Sequence, residues 1–161
     1  MEVRTIEPIV RQRDKAMAVR NVRPVEVLLV EDNPGDIILV EESFREGGMT
    51  VNLTVVGDGP EAVLYIKREE PYLRAPRPDI VILDLRVPRI DGHQILRTLR
   101  EMNEFKQVPV AILSSSNMAE DIRKSYDLGA TCYITKPFGF NNFMEAVKSL
   151  EHFWFKLATL P

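Results

Sequence analysis

The chain has 161 residues, 45% hydrophobic and 28% charged, with a formal net charge of −3. That length suits one well-buried domain, the composition is that of a globular protein, and the acidic balance argues against nucleic acid as the main partner. No apolar run approaches the ~20 residues of a membrane span, and no apolar leader accompanies the N-terminal arginines. The lone Cys132 cannot form an internal disulfide and is read as a buried structural thiol. The expectation is a single cytoplasmic domain with no membrane and no direct nucleic-acid contact.

Residues 1–24 carry six cations against three carboxylates, a local charge of +3. They read as a basic extension, either a frayed lead-in or an arm that docks on a partner chain, with a short helix allowed over Ile9 to Arg20. Met17 is an alternative start. From Val25 the pattern becomes regular. A strand Val25–Val30 precedes a loop with Pro34 and Gly35, then a helix to Arg45 stopped by Gly47-Gly48. A strand Val51–Val56 follows, and a helix from Pro60 to Glu69. The stretch Pro71 to Pro78 is loop, because prolines interrupt both ladder types.

Next come a strand Asp79–Leu83, a helix from Asp91 to Met102 and a strand Val108–Leu113. The segment Ser114-Ser115-Ser116-Asn117 suits a helix N-cap before Met118–Leu128. A short strand Thr131–Ile134 and a helix Asn141–Phe155 complete the chain. Short Val- and Ile-rich runs alternating with helices predict a doubly wound α/β fold of the (βα)5 type. Its five-stranded parallel sheet has the flavodoxin-like order 2-1-3-4-5, with residues 25–150 as the domain. Residues 151–161 form an apolar tail: Phe153, Trp154, Phe155, Leu157 and Leu160 are hard for one small domain to bury and predict a homodimer contact.

In parallel sheets the functional crevice lies at the carboxyl ends of the strands. Val30 runs into Glu31-Asp32, Leu83 into Asp84 and Leu113 into Ser114, and Thr135 leads to Lys136-Pro137. Crowded carboxylates at Glu31, Asp32 and Asp84 repel one another, and a hard cation such as Mg²⁺ relieves this. With the Lys136 ammonium and the Ser114 hydroxyl at the same edge, these are the parts that hold a phosphoryl group. Asp84 is the natural nucleophile, since a carboxylate forms a covalent acyl phosphate.

Four motifs, each at a strand end, resemble the receiver domain of two-component response regulators. They are Leu28-Leu29-Val30-Glu31-Asp32-Asn33, the run from Leu83 to Gly92, Leu113-Ser114-Ser115, and Tyr133-Ile134-Thr135-Lys136-Pro137-Phe138. The resemblance implies that Asp84 accepts a phosphoryl group from a histidine kinase and that Asp32 and Asp84 ligate Mg²⁺ directly. It also implies that Glu31 acts largely through water and that the backbone carbonyl of Arg86 completes the protein ligands. Lys136 would pair with the phosphoryl oxygens, Ser114 would hydrogen-bond to them, and Tyr133 would turn toward the space Ser114 leaves, switching the adjoining surface. The Lys136–Pro137 bond is a candidate cis peptide on the same ground. Glu31 stands where Asp is more frequent, and Arg86 is either a solvated loop arginine or a cation leaning over the phosphoryl group.

Only a helix and a short tail follow Leu150, so output is expected through the receiver's own surface. The run Val30 to Asp36, the proline-rich loop and the ending Ser149 to Trp154 are similar to stand-alone receivers paired with bacterial phytochrome kinases, which implies a light-sensing histidine kinase partner and homodimerisation. Such a protein is not an enzyme beyond its own phosphoryl transfer and dephosphorylation. The alternative is a degenerate receiver acting as a phosphorylation-independent adaptor. A haloacid-dehalogenase phosphatase needs a second Asp where Arg86 stands, and no P-loop follows the first strand.

Overall fold

The Val- and Ile-rich runs form strands as expected, and the segments between them coil back as helices over both faces. The computed structural model describes residues 3–9 and 23–152. Its elements in chain order are β1 (Val3–Ile6), β2 (Val25–Val30), α1 (Pro34–Glu46), β3 (Val51–Val56), α2 (Gly59–Lys67) and β4 (Ile80–Leu83), then α3 (Gly92–Glu101), β5 (Val110–Ser114), α4 (Ala119–Asp127), β6 (Cys132–Thr135) and α5 (Phe140–Glu151). The sheet order is β1-β3-β2-β4-β5-β6. Its five parallel strands reproduce the expected 2-1-3-4-5 order.

The sixth strand corrects the reading of the N-terminus. Val3–Ile6 pairs antiparallel with β3, Ile6 opposite Val51, where the sequence suggested a frayed lead-in or a partner-docking arm. Only Ile6 of the four is buried, so the segment lacks an apolar face of its own. Its stability comes from ladder bonds to β3, from an Arg4 ion pair to Glu41 on α1, and from the Ile9 amide donating to the Arg45 carbonyl at 2.8 Å. At the other end of the extension Arg23 makes a two-bond contact with Asp79, at 2.7 and 2.8 Å. The possible helix over Ile9 to Arg20 falls almost wholly outside the described residues, as do Met17 and the tail from Phe153 onward.

Alternation along the central strands divides the core. Leu28, Val30, Val81 and Leu83 face α2 and α3, packing with Tyr65, Ile66, Leu96 and Phe105. Val27, Leu29, Ile80 and Ile82 face α1 and α5, packing with Phe44, Phe143 and Val147. Both faces are therefore apolar, as a sheet sandwiched by helices requires. Helix α4 is held differently. Its one buried residue is Ser125, whose hydroxyl donates to the Asp121 carbonyl at 2.8 Å. That hydroxyl in turn accepts from His93 Nε2 on α3, 2.9 Å away.

Element boundaries differ from expectation by a few residues, as fraying ends do. Helix α1 starts at Pro34 rather than beyond Gly35, because Asn33 caps it by accepting the Asp36 amide at 3.0 Å. Ser114 is not the cap of α4; the capping position is Met118. Among the described residues the one cis peptide bond joins Glu70 and Pro71, so the Lys136–Pro137 bond is trans.

Candidate functional site at the carboxyl edge of the sheet

Strand register brings the site residues to one level. Val30 lies beside Leu83, Leu83 beside Ile112, and Ser114 beside Thr135. Glu31, Asp84 and Lys136 each begin the loop after their strand, and their amides still bond the neighbouring strand: Glu31 to Val56, Asp84 to Val30, Lys136 to Ser114, at 2.7–3.1 Å. Backbone pairing thus fixes these three side chains before any contact among them is made. Gly92 keeps α3 close: a Cβ there would lie 2.5 Å from the Leu85 Cα and 2.8 Å from the Asp84 carbonyl oxygen. A larger residue would push the loop carrying Asp84 away from the helix.

Glu31, Asp32 and Asp84 present carboxylate oxygens within 4.8 Å of one another. Glu31 and Asp84 are buried, and Asp32 faces solvent. Into this cluster comes the Lys136 ammonium, 2.7 Å from Glu31 Oε2, 2.8 Å from Asp84 Oδ2 and 2.7 Å from Asp36 Oδ2. A lysine ammonium has three N–H donors, and each is directed at a carboxylate. The remaining oxygens of the buried pair are also bonded: Asp84 Oδ1 accepts the Arg86 amide and Glu31 Oε1 the Asn33 amide, both at 3.0 Å.

Electrostatics follow from burial and neighbours. Burial pushes the Glu31 carboxyl up to about 7; the Lys136 hydrogen bond opposes this and the Asp84 charge adds to it. For Lys136 burial alone would depress the ammonium, but the bonds to Asp36, Asp84 and Glu31 outweigh it and raise its pKa. The lysine therefore stays charged in a site dominated by carboxylates.

Ser114 is fully buried at the end of β5, where its hydroxyl accepts the Ser116 amide at 3.3 Å. Tyr133 lies half-buried beneath the same loop, donating its hydroxyl to the Ser116 carbonyl at 2.7 Å. The Arg86 side chain is 65% exposed and lies 3.8 Å from Asp121 on α4. Ser116 donates to that same carboxylate, so the loop after β5 and the start of α4 are tied together.

Of the residues read from the sequence as site residues, Glu31, Asp32, Asp84, Arg86 and Lys136 line one cleft at this edge, while Ser114 lies buried at the end of β5 and Tyr133 within β6. Two that share the edge were not singled out. Asp36 is drawn in because α1 starts at Pro34, which sets Asp36 in its first turn; an acidic residue in a first turn beside an acidic strand end was the available signal. Asp121 carries no such signal, since its partners Ser116 and Arg86 come from two different loops.

A doubly wound sheet with an acidic cluster and a largely buried lysine at its carboxyl edge defines the receiver class of signalling domain. The chain belongs to this family: the response regulator receiver domain model matches residues 27–148. It is 33% identical over 138 residues to response regulator Rcp1 of Synechocystis sp. (strain ATCC 27184 / PCC 6803 / Kazusa), covering 86% of this chain and 94% of that protein. It superposes on the phosphorylated cyanobacterial phytochrome response regulator RcpA with a TM-score of 0.83 at 39% identity, covering 86% and 99% of the two chains. The Mn²⁺-bound form of Rcp1 gives 0.82 at 33% identity, with the same coverage. The chain is thus a response regulator of two-component phosphorelay signalling, related to receivers of phytochrome systems.

Proposed function

We propose that Asp84 is the phosphoacceptor and that the donor is a sensor histidine kinase of phytochrome type. The observation that carries this reading is the Lys136 ammonium 2.8 Å from Asp84 within the carboxylate cluster. A carboxylate oxygen of Asp84 attacks phosphorus, the bond from phosphorus to the donor histidine nitrogen breaks, and the imidazole leaves with the electron pair. Lys136 pairs with the transferred oxygens, and the Ser114 hydroxyl turns toward them. Phosphoryl transfer depends chiefly on such positioning and charge neutralisation.

The donor set suits a hard divalent cation: three carboxylates, one of them solvent-facing. Asp32 and Asp84 would hold Mg²⁺ directly, Glu31 largely through water, and the Arg86 carbonyl would complete the protein ligands. When bound, the cation supplies neutralising charge on the phosphoryl oxygens. The protein catalyses only its own phosphorylation and dephosphorylation. It acts in the cytoplasm as a homodimer, with the apolar run Phe153 to Leu160, outside the described residues, as the contact. None of the described helices is long and apolar enough to cross a membrane.

Intact mass after incubation with acetyl phosphate and Mg²⁺ tests the acceptor. Wild type gains one phosphoryl group and Asp84→Asn gains none; equal labelling of both proteins overturns the assignment. Light scattering on a chain lacking residues 153–161 tests the dimer, and an unchanged mass removes it.

A further inference from the structure

Lys136 bonds two of the carboxylates a metal would use. Its ammonium bonds Glu31 Oε2 and Asp84 Oδ2, two members of the carboxylate cluster. A cation arriving there shares those carboxylates with the ammonium and is repelled by its charge. The third partner, Asp36 Oδ2 at 2.7 Å, lies outside the cluster. It comes from the first turn of α1, which Asn33 holds in place through the Asp36 amide. Asp36 therefore offers Lys136 a carboxylate that the metal does not claim.

We infer that Asp36 is a positioning residue that anchors Lys136 away from the metal oxygens, so that Mg²⁺ binds without displacing the lysine from the site. The inference rests on the metal site proposed above. With Asp36 present, the ammonium loosens its hold on Glu31 and Asp84 and keeps one charged partner on α1. Without it, Lys136 has two carboxylates left, Asp84, which would bind the cation directly, and Glu31, which would bind it through water. The lysine then becomes a stronger competitor, and metal affinity falls. The same anchor keeps the ammonium within reach of a phosphoryl group on Asp84.

Calorimetric titration of Mg²⁺ into the unphosphorylated full chain tests this by a double-mutant cycle, with circular dichroism confirming the fold of each variant. Asp36→Asn weakens Mg²⁺ binding by about threefold or more, as loss of a supporting group around a metal site does, and Asp36→Glu restores much of it. Lys136→Ala alone tightens binding. In the Lys136→Ala background the further change Asp36→Asn alters affinity by less than about twofold, because the anchor has nothing to hold. An equal loss in both backgrounds overturns the inference, since Asp36 would then act as a plain through-space charge. Unchanged affinity in Asp36→Asn overturns it as well. If wild type binds no Mg²⁺, or Asp84→Asn binds as tightly as wild type, the metal site itself is wrong and the inference falls with it.

Discussion

The Tyr133 hydroxyl donates to the Ser116 carbonyl at 2.7 Å, on the residue whose amide bonds the Ser114 hydroxyl. The two residues expected to switch are thus joined through one peptide segment. On the function proposed above, a Ser114 hydroxyl turning toward a phosphoryl group would draw the loop carrying Ser116 with it and shift the acceptor of Tyr133.

Tyr133→Phe removes this bond and keeps the ring. It destabilises the unphosphorylated protein by about 1 kcal/mol, the usual net worth of a partly buried hydrogen bond, as read by urea denaturation. No change would mean that water replaces the carbonyl at no cost.

Asp121 and Arg86 form a pair whose halves differ in weight. The guanidinium is 65% exposed and its contact is long, at 3.8 Å, so Arg86→Ala shifts stability by no more than about 0.5 kcal/mol. Asp121 also accepts from Ser116, and Asp121→Ala costs about 1–2 kcal/mol because the Ser116 hydroxyl loses a charged acceptor. Equal effects of the two substitutions in thermal or urea melts would contradict this division. The guanidinium leans toward α4 rather than over Asp84, so the lifetime of phospho-Asp84 in Arg86→Ala changes less than about twofold; a severalfold change would place the cation over the phosphoryl group.

Burial raises the Glu31 carboxyl from 4.5 to about 7 in the folded protein, with Lys136 opposing and Asp84 adding. Between these values the native state holds a proton that the unfolded chain has lost. Stability from this group is therefore full below about 4.5 and declines as pH rises to about 7. Melting temperatures in metal-free buffer show this as a falling contribution across that window, absent in Glu31→Gln. Mg²⁺ requires the ionised form, so its affinity rises over the same window. A flat difference between the two proteins would place Glu31 in a more hydrated setting.

The edge strand β1 adds one buried side chain, Ile6, to its ladder bonds and the Arg4 ion pair. Ile6→Ala costs about 2 kcal/mol, the low end for emptying an apolar site, because a strand at a sheet edge relaxes more easily than a core. Denaturation curves read the cost, and a change below about 0.5 kcal/mol would show that β1 is held by its ladder bonds alone.

The sequence by itself determined the alternation, the parallel order and the ends of the strands. Apolar runs such as Ile80–Leu83, buried on both faces, announce themselves by composition, and the residue that ends each run must emerge at one edge. That is why Glu31, Asp84, Ser114 and Lys136 were legible as a group. Tertiary structure alone decided what pairing across distance imposes. Val3–Ile6 becomes a strand because β3 offers an open edge, and four residues with one apolar contact carry no periodic signal. Asp36 joins Lys136 because two chain segments a hundred residues apart converge there, and hydrogen-bond partners so separated leave no spacing to read. The turn of Arg86 toward Asp121 likewise depends on a side-chain path, which packing chooses among alternatives that local sequence leaves nearly equal in energy.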